Sequence, residues 1–197
     1  MKKRIRILDE KDYKRFLKRI LFYKSIFYWN TIFEVENEVD NINIESIISA
    51  LNIKRRRKRI EYVYDTACLM IDQKVGDCNI CGFQKNQCYI QRKKKNGQCN
   101  GCCRMCLYQT KNGCPSKNLA CKLFYCSEVK SRYDVLKWED IPLLKLLSLK
   151  NQYVVQNDYF SMREDVLKDL YCYTFTFSCL RIFYRLFKNK ILFSKRD

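Results

Sequence analysis

Along the first third of the chain, apolar residues return at three- and four-residue steps, the signature of helices with one buried face. Tyr13, Phe16, Leu17, Ile20, Tyr23 and Phe27 form one such row, with Lys11, Lys14, Lys18 and Arg19 mainly on the other side. Asp9 stands where a capping side chain is needed and Asp12 falls in the first turn. The pattern therefore predicts an amphipathic helix to about Phe33 whose aromatic stripe packs into a core. An acidic polar stretch, Glu34 to Asp40, follows. Asn43 can then cap a short helix carrying Ile44, Ile47, Ile48 and Leu51. Ile60, Val63, Tyr64, Ala67, Met70 and Ile71 resume the spacing up to Gly76, which supplies a stop.

The last third repeats the theme. Asp140 is placed as a cap and Pro142 in the first turn, where its missing N–H costs nothing, ahead of Leu143, Leu144, Leu146, Leu147 and Leu149. Ser161 and Glu164 have the spacing of a capping box before Val166, Leu167 and Leu170. In the tail, Tyr171, Tyr173, Phe175 and Phe177 alternate as in a strand, whereas Phe175, Cys179, Ile182, Phe183 and Leu186 fit a helix. The helical spacing extends further and is the one adopted. Arg181, Arg185, Lys188, Lys190, Lys195 and Arg196 make this end basic. Packing against other helices is the reading adopted for its apolar face, with peripheral membrane contact as the alternative.

Between these arms the pattern changes. Ten of the 13 cysteines lie between Cys78 and Cys126, and all five glycines lie between Gly76 and Gly113. Helical arms need no glycine; a tight metal-binding loop fold does. The expected fold is mostly α, with helical arms flanking a small, irregular, cysteine-rich metal-binding module. Residues 1–74 form a helical N-terminal part, 75–128 the module and 129–197 a helical C-terminal part, the two arms being free to pack as one body.

Cysteines at this density are metal ligands or a disulfide framework, and the compartment decides between them. The basic opening Met1 to Arg6 runs into Asp9, Glu10, Lys11 and Asp12 where an export signal needs apolar residues. The longest uncharged runs, 170–180 and 25–33, fall short of the roughly 20 apolar residues that span a bilayer. The chain thus reads as cytoplasmic, without a transmembrane segment, and a reducing cytosol favours metal over disulfides. Cys78-Asn79-Ile80-Cys81-Gly82 has the form of a zinc knuckle, and Cys99-Asn100-Gly101-Cys102 offers a second pair. The 17 residues between the pairs match a two-knuckle tetrahedral site. Cys106, Cys114, Cys121 and Cys126 can complete a second tetrathiolate site, with Cys88 and Cys103 as alternates, so two zinc ions are expected. Cys68, Cys172 and Cys179 fall on helical faces and are read as small buried hydrophobes.

The chain contains no histidine, so zinc here is held essentially by sulfur, in sites that are typically closed and structural. The commonest general base is missing as well, and no phosphate loop or dinucleotide fingerprint is present, which weighs against an enzyme. An iron–sulfur cluster on the same cysteines is the alternative cofactor, and Cys114-Pro115 has the form that closes ferredoxin cluster runs. At Asn100-Gly101-Cys102-Cys103-Arg104-Met105-Cys106 the sequence resembles the bacterial cysteine-cluster proteins described as zinc- or iron-chelating. The resemblance is confined to residues 78–126, implies metal binding there and says nothing of the arms.

A formal charge of +18 points to an acidic partner, RNA or DNA first and an acidic protein second. The candidate contact residues are Arg55, Arg56, Arg57, Lys58 and Arg59, and Arg92, Lys93, Lys94 and Lys95. Part of the basic excess has another use: eleven Lys or Arg against two acids between Lys74 and Lys130 compensate thiolates. A helix-turn-helix between Ile44 and Ile71 is disfavoured, because basic residues in a helix's first turn oppose its dipole.

Overall fold

A computed structural model describes residues 1–26, 30–39, 41–78, 116–125, 127–172 and 174–194. Helix dominates these residues, with eight α-helices and one two-stranded sheet among them. No helix among the described residues is long and apolar enough to cross a membrane. The chain divides into two compact units, the first formed by residues 1–67 and 138–152, the second by residues 68–137 and 153–197.

The first unit opens with a β-α-β element. Strand β1 (Lys2–Ile7) lies parallel to β2 (Ile32–Asn37), with Ile5 opposite Val35 and Ile7 opposite Asn37, and α1 (Glu10–Ile26) connects them. In β1 the period is two: Ile5 and Ile7 turn inward while Arg4 and Arg6 face solvent. The outer face is laced by charge, Lys2 Nζ lying 2.7 Å from Glu34 Oε1 and Arg6 Nε 2.8 Å from Glu36 Oε2. These pairs are exposed and add specificity of register more than stability. Asp9 caps α1 as expected, its Oδ1 accepting from the Asp12 N–H at 2.7 Å, and Tyr13, Phe16, Ile20 and Tyr23 are the buried row.

Helix α1 stops at Ile26, and Phe33, expected near its end, is instead a buried residue of β2. The acidic polar stretch that begins at Glu34 is strand as far as Asn37. The reason is tertiary: β1, about 30 residues away, satisfies the β2 backbone. Asn52 holds the second edge of β2, its Oδ1 accepting from the Phe33 N–H and its Nδ2 donating to the Phe33 carbonyl, both at 2.8 Å.

Helix α2 (Ile42–Asn52) buries Ile44, Ile47, Ile48 and Leu51. Its cap is Asn41, whose side chain accepts from the Asn43 N–H at 2.9 Å, so the capping role falls two residues earlier than expected. Helix α3 (Arg56–Cys78) runs past Gly76, the expected stop, and supplies residues to both units, with Ile60, Val63, Tyr64 and Ala67 buried in the first. The leucine-rich stretch belongs to this unit too. Its residues are buried as expected, but Pro142–Leu146 forms a 3₁₀ turn, preceded by another at Trp138–Asp140, and Ile141 rather than Asp140 stands at the cap position. Both α1 and α2 pack on the 142–146 turn.

The second unit contains the short helices α4 (Leu119–Lys122) and α5 (Ser127–Arg132), the end of α6 (Leu149–Asn157), α7 (Arg163–Tyr171) and α8 (Phe175–Ser194). Ile71, Leu119, Val154, Val155, Val166, Leu167, Leu170 and Ile182 are its apolar interior. The capping box expected at Ser161 and Glu164 does not form: Met162 occupies the cap position of α7 without a side-chain bond, and the Ser161 hydroxyl donates to Asp158 instead. The tail is helical as expected. Its orientation is not, for Phe175 and Phe183 are exposed and only Ile182 of the expected apolar face is buried.

Candidate functional site

Cys121 is the one expected metal ligand whose side chain falls among the described residues, and its surroundings are built by two loops. Helix α4 begins at Asn118, whose extended backbone (φ −95°, ψ 122°) and side-chain oxygen cap the helix by accepting the Cys121 N–H at 2.9 Å. The same amide, almost fully buried, donates through Nδ2 to the carbonyls of Asp158 at 2.7 Å and Ser161 at 3.1 Å. One asparagine therefore joins the start of α4 to the 158–161 loop. The Arg163 N–H adds a bond to the Ser116 carbonyl at 3.0 Å. Within the loop, Phe160 takes a positive φ of 60°, a conformation that costs a non-glycine residue on the order of 1–2 kcal/mol. Its N–H points at Cys121 and donates to Sγ at 3.3 Å. A backbone amide aimed at sulfur is the kind of outer contact that tunes metal-bound thiolates.

The half-buried Cys121 sits beside aromatic rings. Phe124 and Tyr159 meet edge to face with centroids 5.9 Å apart, and Tyr159 leans on Phe160 at 6.2 Å. Burial pushes the Tyr159 hydroxyl above its ordinary value, and negative charge at Cys121 pushes the same way. Lys122, next along α4, pairs with Asp72 of α3, and Cys68 Sγ donates to the Lys117 carbonyl at 3.6 Å.

The loop that presents Phe160 is anchored by a buried cluster of charge. Asp158 and Asp169 are 1% and 0% exposed, and Arg185 of α8 bridges them. Its Nη2 lies 2.5 Å from Asp158 Oδ2 and also reaches Asp169 Oδ2, while its Nε is 3.3 Å from Asp158 Oδ1. Arg181 Nε stands 3.2 Å from Asp169 Oδ1, so two guanidinium groups balance two carboxylates. Ser161 Oγ donates to Asp158 Oδ1 at 2.5 Å. Burial pushes the Asp158 carboxyl above its ordinary value, and the Ser161 bond and the Arg185 charge pull it back part of the way. Two buried carboxylates balanced by two guanidinium groups make this a structural clamp.

Of the remaining expected ligands, Cys78 is the last residue of α3, placed by its backbone. Cys81, Cys88, Cys99, Cys102, Cys103, Cys106, Cys114 and Cys126 lie outside the described residues, as do Arg92, Lys93, Lys94 and Lys95. Among the described residues, no three Cys, Asp or Glu side chains gather into a group able to hold a metal ion. Cys68 is buried as expected of a small hydrophobe, whereas Cys172 and Cys179 are only half-buried.

The basic run is split by its structure. Arg55, Arg57 and Lys58 are exposed, and Arg56 and Arg59 are partly covered. Arg59 works internally, its Nη1 donating to the Ile53 carbonyl at 3.1 Å. Burial, and then the Arg59 charge, lower the pKa values of Lys24, which donates to the Leu147 carbonyl, and of Lys54, which donates to that of Thr31.

No family model, curated protein or solved structure matches the chain. Sequence reasoning passed over Phe160 and the Asp158–Asp169–Arg185 cluster. One signal was available for the cluster: Asp169 interrupts the apolar row Val166, Leu167, Leu170, and Arg185 interrupts an aromatic one. Opposite charges set on apolar faces of neighbouring helices are a pattern for a buried pair. Nothing local marked Phe160, whose φ is imposed by the loop.

Proposed function

We propose that the chain is a zinc-binding, non-enzymatic interaction protein of the cytoplasm, in which two structural ions held by cysteine sulfur organise residues 78–126 and the basic surface engages RNA or DNA. The observation that carries this reading is the pair of Cys-x2-Cys elements, 78/81 and 99/102, at the separation of a two-knuckle site. The amide that Phe160 holds against Cys121 Sγ supports it, because hydrogen bonds of this kind tune metal-bound thiolates. The absence of histidine from the sequence favours closed, structural sites over an open catalytic one. Iron–sulfur ligation is the second reading, favoured by Cys114-Pro115.

Anaerobic purification followed by elemental analysis tests the metal. A colourless protein with about two zinc ions per chain is expected. A brown protein with visible absorption transfers the cysteines to an iron–sulfur cluster, and a metal-free protein that still unfolds cooperatively refutes both. For the partner, affinity for RNA or DNA should fall steeply with added salt as condensed counterions are released. A flat salt response removes nucleic acid.

A further inference from the structure

Helix α8 is amphipathic the wrong way round for a helix packed on a protein interior. Its inward row is Ser178, Ile182, Arg185 and Asn189, three polar residues and one apolar one at steps of four, three and four, with Arg185 partly covered and the other three buried. Ser178 Oγ lies 3.4 Å from the Asp169 carbonyl, and Arg185 enters the Asp158–Asp169 clamp. The opposite row, Leu180, Phe183, Tyr184, Phe187 and Ile191, is between 40% and 71% exposed, and Phe177 at 52% extends it. Polar anchoring thus fixes the helix with its apolar side outward, and a contiguous stripe of this kind marks an interaction site.

Charge selects the occupant. On a helix of 3.6 residues per turn, Lys188 borders the stripe on one side and Lys190 on the other, and both are exposed. Arg181 flanks the Lys188 side, its guanidinium 5.8 Å from the Phe177 ring centroid. No Asp or Glu occurs between Leu170 and Arg196. A second copy of this face would bring lysines against lysines with no acid to answer them. An apolar stripe with basic borders on both sides fits the boundary between acyl chains and anionic headgroups, where apolar rings enter and lysines extend back to phosphate.

We infer that α8 is an interfacial membrane-docking helix that binds anionic lipid surfaces through Leu180, Phe183, Tyr184, Phe187 and Ile191, with Lys188 and Lys190 at its margins. This inference is independent of the metal reading.

Sedimentation of the full chain with vesicles tests it, comparing phosphatidylcholine alone with phosphatidylcholine containing phosphatidylserine at low and physiological salt. Binding to the anionic vesicles and little to the neutral ones is expected. The double variant F183S/F187S replaces exposed side chains and should keep the wild-type far-UV circular dichroism while its partition falls about tenfold or more. The second variant, K188Q/K190Q, leaves the apolar stripe intact and should lose about fivefold per lysine. The idea is overturned if the wild type ignores anionic vesicles at low salt. Unchanged binding by F183S/F187S also overturns it, because diffuse positive charge would then suffice. If the wild type sediments as a dimer that F183S/F187S dissociates, without any lipid binding, the occupant is a second copy and the lipid assignment fails.

Discussion

Replacing Arg185 by Met removes the guanidinium that joins Asp158 to Asp169 and keeps most of the apolar stem. The two carboxylates are 1% and 0% exposed, so neither can recover its lost partner from water. Asp169 retains Arg181 at 3.2 Å, but Asp158 keeps only the Ser161 hydroxyl. Breaking a buried pair by removing one member costs about 3–5 kcal/mol, mostly the penalty of an uncompensated buried charge. That is a large fraction of the roughly 5–15 kcal/mol that holds a domain folded. The pH dependence follows from Asp158, whose folded-state pKa already lies above its unfolded value because of burial. A raised folded pKa contributes stability that is fully present below the unfolded value and lost as pH rises through the folded one. Arg185 lowers the Asp158 pKa, so deleting it raises that value further and moves the loss to higher pH. Urea denaturation followed by far-UV circular dichroism should show the R185M deficit largest at neutral pH and shrinking towards about pH 4, near the unfolded carboxylate value. Adding Asp158→Asn, which removes the charge but still accepts from Ser161, should restore part of the loss. A deficit below about 1 kcal/mol, the scale of an exposed pair, or one unchanged between pH 7 and 5, would refute the clamp.

Two further substitutions probe the frame. Asn52→Ala strands both the N–H and the carbonyl of the buried Phe33 at the edge of β2, and should cost about 2–4 kcal/mol in denaturation midpoint; a loss under about 0.5 kcal/mol would mean water replaces the amide. Lys117 holds a φ of 44° on an exposed side chain, so Lys117→Gly should raise stability by about 0.5–1 kcal/mol once the greater freedom of glycine in the unfolded chain is subtracted. A destabilised K117G would show that the lysine side chain contributes more than its backbone costs.

Local rules carried the reading wherever neighbours in sequence were the neighbours that mattered. The Asp9 cap and the Tyr13, Phe16, Ile20, Tyr23 row stand as the pattern has them, because a cap and a helical face are both settled within a turn or two. The parallel pair of β1 and β2 was not legible. Each strand is six residues long, its outward positions are charged, and its partner lies across the whole of α1. The Ser161–Glu164 box failed for a related reason: the hydroxyl had a better acceptor in the buried Asp158 than in the α7 backbone. At the candidate site the cysteine spacing was visible at once. The donor that meets Cys121 was not, since it is a backbone N–H whose direction depends on a loop held by Asn118 and Arg185.

The clamp links the two features to which function is assigned. Charged groups inside a protein are costly and do not by themselves make a fold more stable than well-packed apolar residues would, so their use here needs a reason. An apolar inner face on α8 would have offered two nearly equivalent ways to seat the helix, stripe inward or stripe outward. Arg185 and Arg181 remove that ambiguity, because only one rotation of α8 delivers both guanidinium groups to Asp158 and Asp169. The same carboxylate fixes the 158–161 loop through Ser161 and so sets the Phe160 amide at Cys121. Specificity of arrangement is thus what the buried ions supply: the outward stripe and the amide at sulfur are two consequences of one charge pairing.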